Sequence, residues 1–159
     1  MRAGLPPRPG LMKPERSLKA RAVDYLSRRE HSRLELARKL ARHAQDPQEV
    51  EAVLADLERQ GLLSNDRFAA SLIHRRGGRV GTARIVQELR QHGVGSERIE
   101  ALRSDLQSSE LERARAVWQK RYGQAPLDAA DRARQMRFLA ARGFNHEVIR
   151  KVVGAADTD

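Results

Sequence analysis

Apolar residues recur along this chain with a helical period, and the same arrangement of apolar, small and capping positions returns three times. Leu40, Leu89 and Leu139 serve as anchors, spaced 49 and 50 residues apart. Four residues after each anchor stands Ala44, Gly93 or Gly143, small residues that suit a helix C-terminus. Six after stands Asp46, Gly95 or Asn145, each a reasonable N-cap for a following helix. Val50, Ile99 and Ile149 follow at ten, and Val53, Leu102 and Val152 at thirteen. Eight residues before the anchors come Ser32, Gly81 and Asp131, again residues of N-cap type.

Local chemistry supports this register. Asp46, Pro47 and Glu49 read as an N-cap, a proline at the first helical position and a capping-box acid, and Ser32 with Glu35 reads as a second box. Val94 with Ile99, and Phe144 with Ile149, occupy the two positions of a hydrophobic staple. Val50, Val53, Leu54 and Leu57 share a helix face, with Gly61 as the stop.

One more helix precedes each pair. The first runs from Ser17 to Arg29; the second is capped by Ser64, with Leu63 and Phe68 as its staple, and ends at Gly77-Gly78; the third carries Leu111, Ala114, Val117, Trp118 and Tyr122. No stretch alternates with the two-residue period of a strand. The expectation is an all-α chain of three tandem three-helix repeats, helix-turn-helix-like and elongated, with room for curvature. The units span residues 16–61, 62–107 and 108–155 after a disordered leader at 1–15. Repeats of this size bury little alone and lean on their neighbours. A compact bundle of nine helices is the alternative.

Composition sharpens the picture. The 159 residues carry a net charge of +10, and aromatics are only 4%, which favours several small cores over one large one. Residues 1–61, 62–107 and 108–159 carry excesses of about +4, +3 and +3, so this is no basic tail on a neutral domain. A spread excess fits a long polyanion or an acidic groove, although 26 arginines among 31 basic residues also fit a bias toward arginine. The absence of cysteine excludes disulfides and thiolate metal sites. The first 17 residues lack an apolar signal core, and no apolar run approaches the roughly 18 residues of a membrane span. A cytoplasmic location follows by elimination.

Catalytic chemistry is hard to find. His31, His43, His74, His92 and His146 form no HExxH motif and no metal-ligand cluster. His43 and His92 share one repeat position just before a helix stop, where histidine interacts well with the C-terminal dipole. Gly77-Gly78-Arg79-Val80-Gly81 lacks the nucleotide-loop pattern and reads as a hinge. No enzyme activity and no cofactor are expected.

What remains is arginine. Arg28, Arg29 and Arg33 straddle the first turn; Arg75, Arg76, Arg79 and Arg84 surround the glycine hinge with no acid among them. Arg98 and Arg103 lie on the last helix of the second unit, and Arg132, Arg134, Arg137 and Arg142 surround the third anchor. The arginine fork binds phosphate and carboxylate alike, so these residues are candidates for a phosphate backbone, an acidic protein groove or plain solvation. Aromatics are too sparse among them to support base stacking on single strands.

The segments SRREHSRLELARKL, VLADLERQGLLSNDRFA and FLAARGFNHEVI resemble the RecX family of RecA regulators, in that family's order, over about residues 16–153. The resemblance implies three tandem three-helix repeats. It also implies binding to the RecA recombinase filament on single-stranded DNA, with inhibition of filament extension, ATP hydrolysis, strand exchange and co-protease action. Recombination, DNA repair and the SOS response are thereby tempered. A monomer with weak, non-specific DNA binding and no membrane partner is the matching expectation. Two rivals stand beside it: a direct helix-turn-helix DNA-binding regulator, and a protein scaffold without DNA contact.

Overall fold

The structure, a computed structural model, describes residues 16–156; the expected leader at 1–15 lies outside the described residues. Eight α-helices and no strand make up the described residues. They are α1 (Leu18–Arg28), α2 (Arg33–Ala41), α3 (Pro47–Arg59), α4 (Asn65–Arg76), α5 (Thr82–Gln91), α6 (Ser96–Arg121), α7 (Ala129–Ala141) and α8 (His146–Ala156). Three successive three-helix units are present, as the periodicity predicts, but the second and third share one helix. The boundary expected at 107/108 falls inside α6, which spans 26 residues. Its centre, from Ser104 to Leu111, contains neither glycine nor proline to stop it.

Burial follows the anchors. Leu40, Leu89 and Leu139 are all fully buried, each in a different core. Ala22, Leu36, Leu54 and Leu57 surround the first, Phe68, Ile85 and Ile99 the second, and Ala114, Ile149 and Val153 the third. No buried residue belongs to two cores, which decides against a single nine-helix bundle.

The turns obey local rules. The side chains of Ser17, Ser32, Asp46 and Ser64 accept backbone N–H groups of α1, α2, α3 and α4 respectively. The Asn145 side chain accepts the Glu147 N–H at 2.8 Å and so opens α8. Gly93 and Gly143 adopt φ of 75° and 85°, the left-handed conformation that lets their carbonyl-end turns close. All three staple pairs, Leu63/Phe68, Val94/Ile99 and Phe144/Ile149, are buried.

Two local expectations are corrected. Asp131 does not cap the seventh helix. Asp128 does, accepting the Asp131 N–H at 2.8 Å, while the Asp131 carboxylate reaches back to the Leu127 N–H at 3.0 Å. The helix therefore starts three residues earlier, with an aspartate in the reciprocal position of a capping box. In the Ser32 box only one half forms, because the Glu35 carboxylate is held by both guanidinium nitrogens of Arg29 instead.

A basic groove at the junction of the second and third units

The junction is built around the middle of α6. Glu110, nearly fully buried, accepts the Thr82 N–H at 3.1 Å and the Asn145 N–H at 3.3 Å through one oxygen, Oε1. One carboxylate thus caps the start of α5, where Gly81 has no side chain to offer, and ties it to the start of α8. One turn on, Arg113 places every one of its five N–H donors. Its Nη1 serves the Gly77 and Val80 carbonyls at 2.9 and 2.8 Å; its Nη2 serves Thr82 Oγ1 and the Leu106 carbonyl, both at 3.1 Å; its Nε serves Ser109 Oγ at 3.0 Å. Burial pulls this guanidinium below its ordinary pKa, with the Glu110 carboxylate opposing the shift. The glycine stretch read as a hinge is therefore fastened to α6.

Backbone meets backbone across the same junction. The Gly81 N–H donates to the Arg142 carbonyl at 2.8 Å. A Cβ on Gly81 would collide with the Gly143 carbonyl, and one on Gly143 would stand 2.8 Å from the Arg84 Cβ. Both glycines are needed for close approach, and Gly143, at φ 85°, for its turn as well. Arg84 donates to the Ala141 carbonyl and Arg142 to the Arg79 carbonyl, each at 3.2 Å.

A groove of about 590 Å³ opens beside this weld, lined by Gly78, Arg79, Ala116, Val117, Lys120, Arg121, Phe138 and Arg142. Four cations face it, and none of its described lining residues is acidic. The Arg142 and Arg121 guanidinium carbons lie 4.7 and 5.7 Å from the Phe138 ring centroid, and Tyr122 meets that ring edge-on at 5.5 Å. Stacking on the ring holds both cations with their N–H edges available.

The expected arginines divide by what the fold does with them. Arg79 and Arg142 meet in the groove, and Arg84 buttresses its rim. Exposed Arg75 makes no ion pair among the described residues. Arg76 is clamped by both oxygens of Glu88, at 2.9 and 3.2 Å, and joins α4 to α5. Arg33 is held by Glu51 and Glu58, which together raise its pKa, so this residue fastens α2 to α3. Arg29 is paired with Glu35, Arg28 with Asp24, Arg98 with Asp66, Arg103 with Glu100 and Arg134 with Asp131, all exposed or half-exposed. Arg132 is half-buried and engaged, near the start of α7. Of the histidines sharing a repeat position, His92 bonds the Glu88 carbonyl at 2.8 Å, whereas exposed His43 makes no side-chain bond among the described residues.

Sequence reasoning missed Lys120, Arg121, Phe138, Glu110 and Arg113. A usable signal existed: residues 67–87, 113–127 and 132–146 contain no aspartate or glutamate and carry 13 of the 31 basic residues. Each tract supplies part of the groove: Arg79 comes from the first, Lys120 and Arg121 from the second, Phe138 and Arg142 from the third. Among the described residues no cluster of three or more histidines and carboxylates is placed to hold a metal, and no helix is long and apolar enough to cross a membrane.

Comparison with known proteins agrees with this architecture. Family models for the first, second and third three-helix domains of RecX match residues 19–57, 64–102 and 108–153. The Regulatory protein RecX of Ralstonia pickettii is 53% identical over 141 residues, 89% of each chain; that of Leptothrix cholodnii is 53% identical over 145 residues, 91% of this chain and 92% of its own. The crystal structure of RecX from Lactobacillus salivarius superposes with a TM-score of 0.73 at 19% identity, over 89% of this chain and 96% of that one, which speaks to the fold. Three family domains in order and relatives above half identity over most of their length place this chain in the RecX family of regulatory proteins.

Proposed function

We propose that this protein binds the RecA recombinase filament on single-stranded DNA and restrains it. Filament extension, ATP hydrolysis, strand exchange and co-protease action are lowered, which tempers recombination, DNA repair and the SOS response in the cytoplasm. The observation that carries the reading is the convergence of three acid-free tracts on one basic groove at the junction of two repeats. A cationic surface assembled across repeats matches a periodic, polyanionic partner, and weak contacts from successive units of one monomer reinforce each other through effective concentration. Arg75, Arg79, Arg84 and Arg142, with Lys120 and Arg121, supply the main contacts in this reading. Arg33 and Arg76 serve it indirectly, by holding helices together.

The test adds the purified chain to RecA, ATP and single-stranded DNA and follows ATP hydrolysis and filament length. Inhibition is expected at or below equimolar protein, and its absence there overturns the proposal. Arg75→Glu is the informative surface variant, because Arg76→Glu would also break the clamp to Glu88. A sequence-reading DNA regulator would instead hold a preferred duplex at physiological salt.

A further inference from the structure

We infer that the groove beside Gly78 is a seat for the phosphodiester backbone of a single nucleic-acid strand, which it holds phosphates inward and bases outward. Four cations line the groove with no acid among its described lining residues, which favours an anion there, and the flanking tracts extend the same sign of charge beyond the groove. A field of that extent suits a polyanion with regular charge spacing better than a lone carboxylate or a mononucleotide. A recess of about 590 Å³ has room for the phosphates of one strand.

The orientation follows from Phe138. Among the described residues it is the only aromatic ring lining the groove, and it is already engaged by Arg142, Arg121 and a T-shaped contact with Tyr122. A base therefore finds no bare aromatic platform of the kind that single-strand binders use. What the groove offers is guanidinium and ammonium N–H, small apolar walls at Ala116 and Val117, and no built reader of base edges. The strand is gripped without regard to sequence and keeps its bases free to pair. Arg79 and Arg142 come from different units, so the seat exists only while the Gly81–Arg142 backbone contact holds.

The role of this seat in the cell rests on the filament reading, but its existence is tested with bare DNA and no recombinase, so the two can fail separately. The full chain is titrated against a labelled oligo-dT by fluorescence anisotropy at several salt concentrations. Replacing Lys120 and Arg121 by glutamine should make the plot of log affinity against log salt shallower by about 1.4, at about 0.7 for each single-strand phosphate that is no longer neutralised. Helix content by circular dichroism should be retained. The control Arg38→Gln with Arg42→Gln alters an exposed cation of α2 and another at its C-cap, both outside the groove, and should leave that slope unchanged. An oligonucleotide of abasic sites should bind within about twofold of oligo-dT, since phosphates carry the contact. An equal change from both variant pairs, a large loss with the abasic strand, or displacement by poly-glutamate or ATP at matched charge would each overturn the assignment.

Discussion

Glu110→Ala tests the junction most directly. The substitution removes the acceptor for two helix-start amides. The Thr82 amide is buried, and losing a charged acceptor there costs about 1.5–3 kcal/mol. The Asn145 amide belongs to an exposed residue and bonds at 3.3 Å, so water replaces much of it, leaving about 0.5–1 kcal/mol. The missing methylene adds about 0.8 kcal/mol. The expected loss is about 3–5 kcal/mol. For a chain of 159 residues, at about 2–4 °C per kcal/mol, the midpoint falls by about 6–20 °C. Glu110→Gln keeps Oε1 as acceptor and gives up only the charge, so about 1–1.5 kcal/mol is expected, because neutral acceptors are roughly half as strong. Urea and thermal unfolding followed by circular dichroism read both variants. Amide hydrogen exchange should show the loosening in α5 and α8 and not in α1–α3. An alanine variant within 1 kcal/mol of the parent, or a glutamine variant as damaged as alanine, refutes the capping role.

Three further outcomes are expected. Phe68→Ala empties the centre of the second core, where the ring is 1% exposed, and should cost about 3–5 kcal/mol by urea unfolding; a loss below 1 kcal/mol would mean the staple is not in place. Gly81→Ala puts a methyl into the Gly143 backbone and should separate the second and third units, seen as reduced exchange protection of the amide at position 81 while α1–α3 stay protected. His31 is buried between the Arg29 carbonyl and the Lys39 ammonium, and burial pushes its pKa below the ordinary value of 6.5. The unfolded chain therefore takes up this proton first, so stability is full above about pH 7 and falls as pH drops through the unfolded value toward the folded one. His31→Gln should flatten that part of the pH–stability curve, and an unchanged slope would remove His31 as its source.

The sequence by itself determined the local architecture. Fully buried anchors at 40, 89 and 139, the staples and most caps are legible because helix periodicity and capping are decided by residues within a few positions of each other. Asp131 misled only because two aspartates three residues apart can each begin a helix, and the reciprocal bond to Leu127 chooses between them. The tertiary structure alone decided which charges are spent and which are left. Arg33 and Arg75 are both basic residues near helix ends, yet one is locked by carboxylates 18 and 25 positions away and the other is not. Arg113 reads as one more solvated arginine among acids, and only the approach of the 77–82 loop to α6 supplies its acceptors. Glu110 likewise gains its meaning from amides 28 and 35 residues distant. Short-range rules fix helices because the chain must satisfy its own backbone locally; partners for charges come from wherever packing brings them, and that brought Arg79, Lys120, Arg121 and Arg142 around one groove.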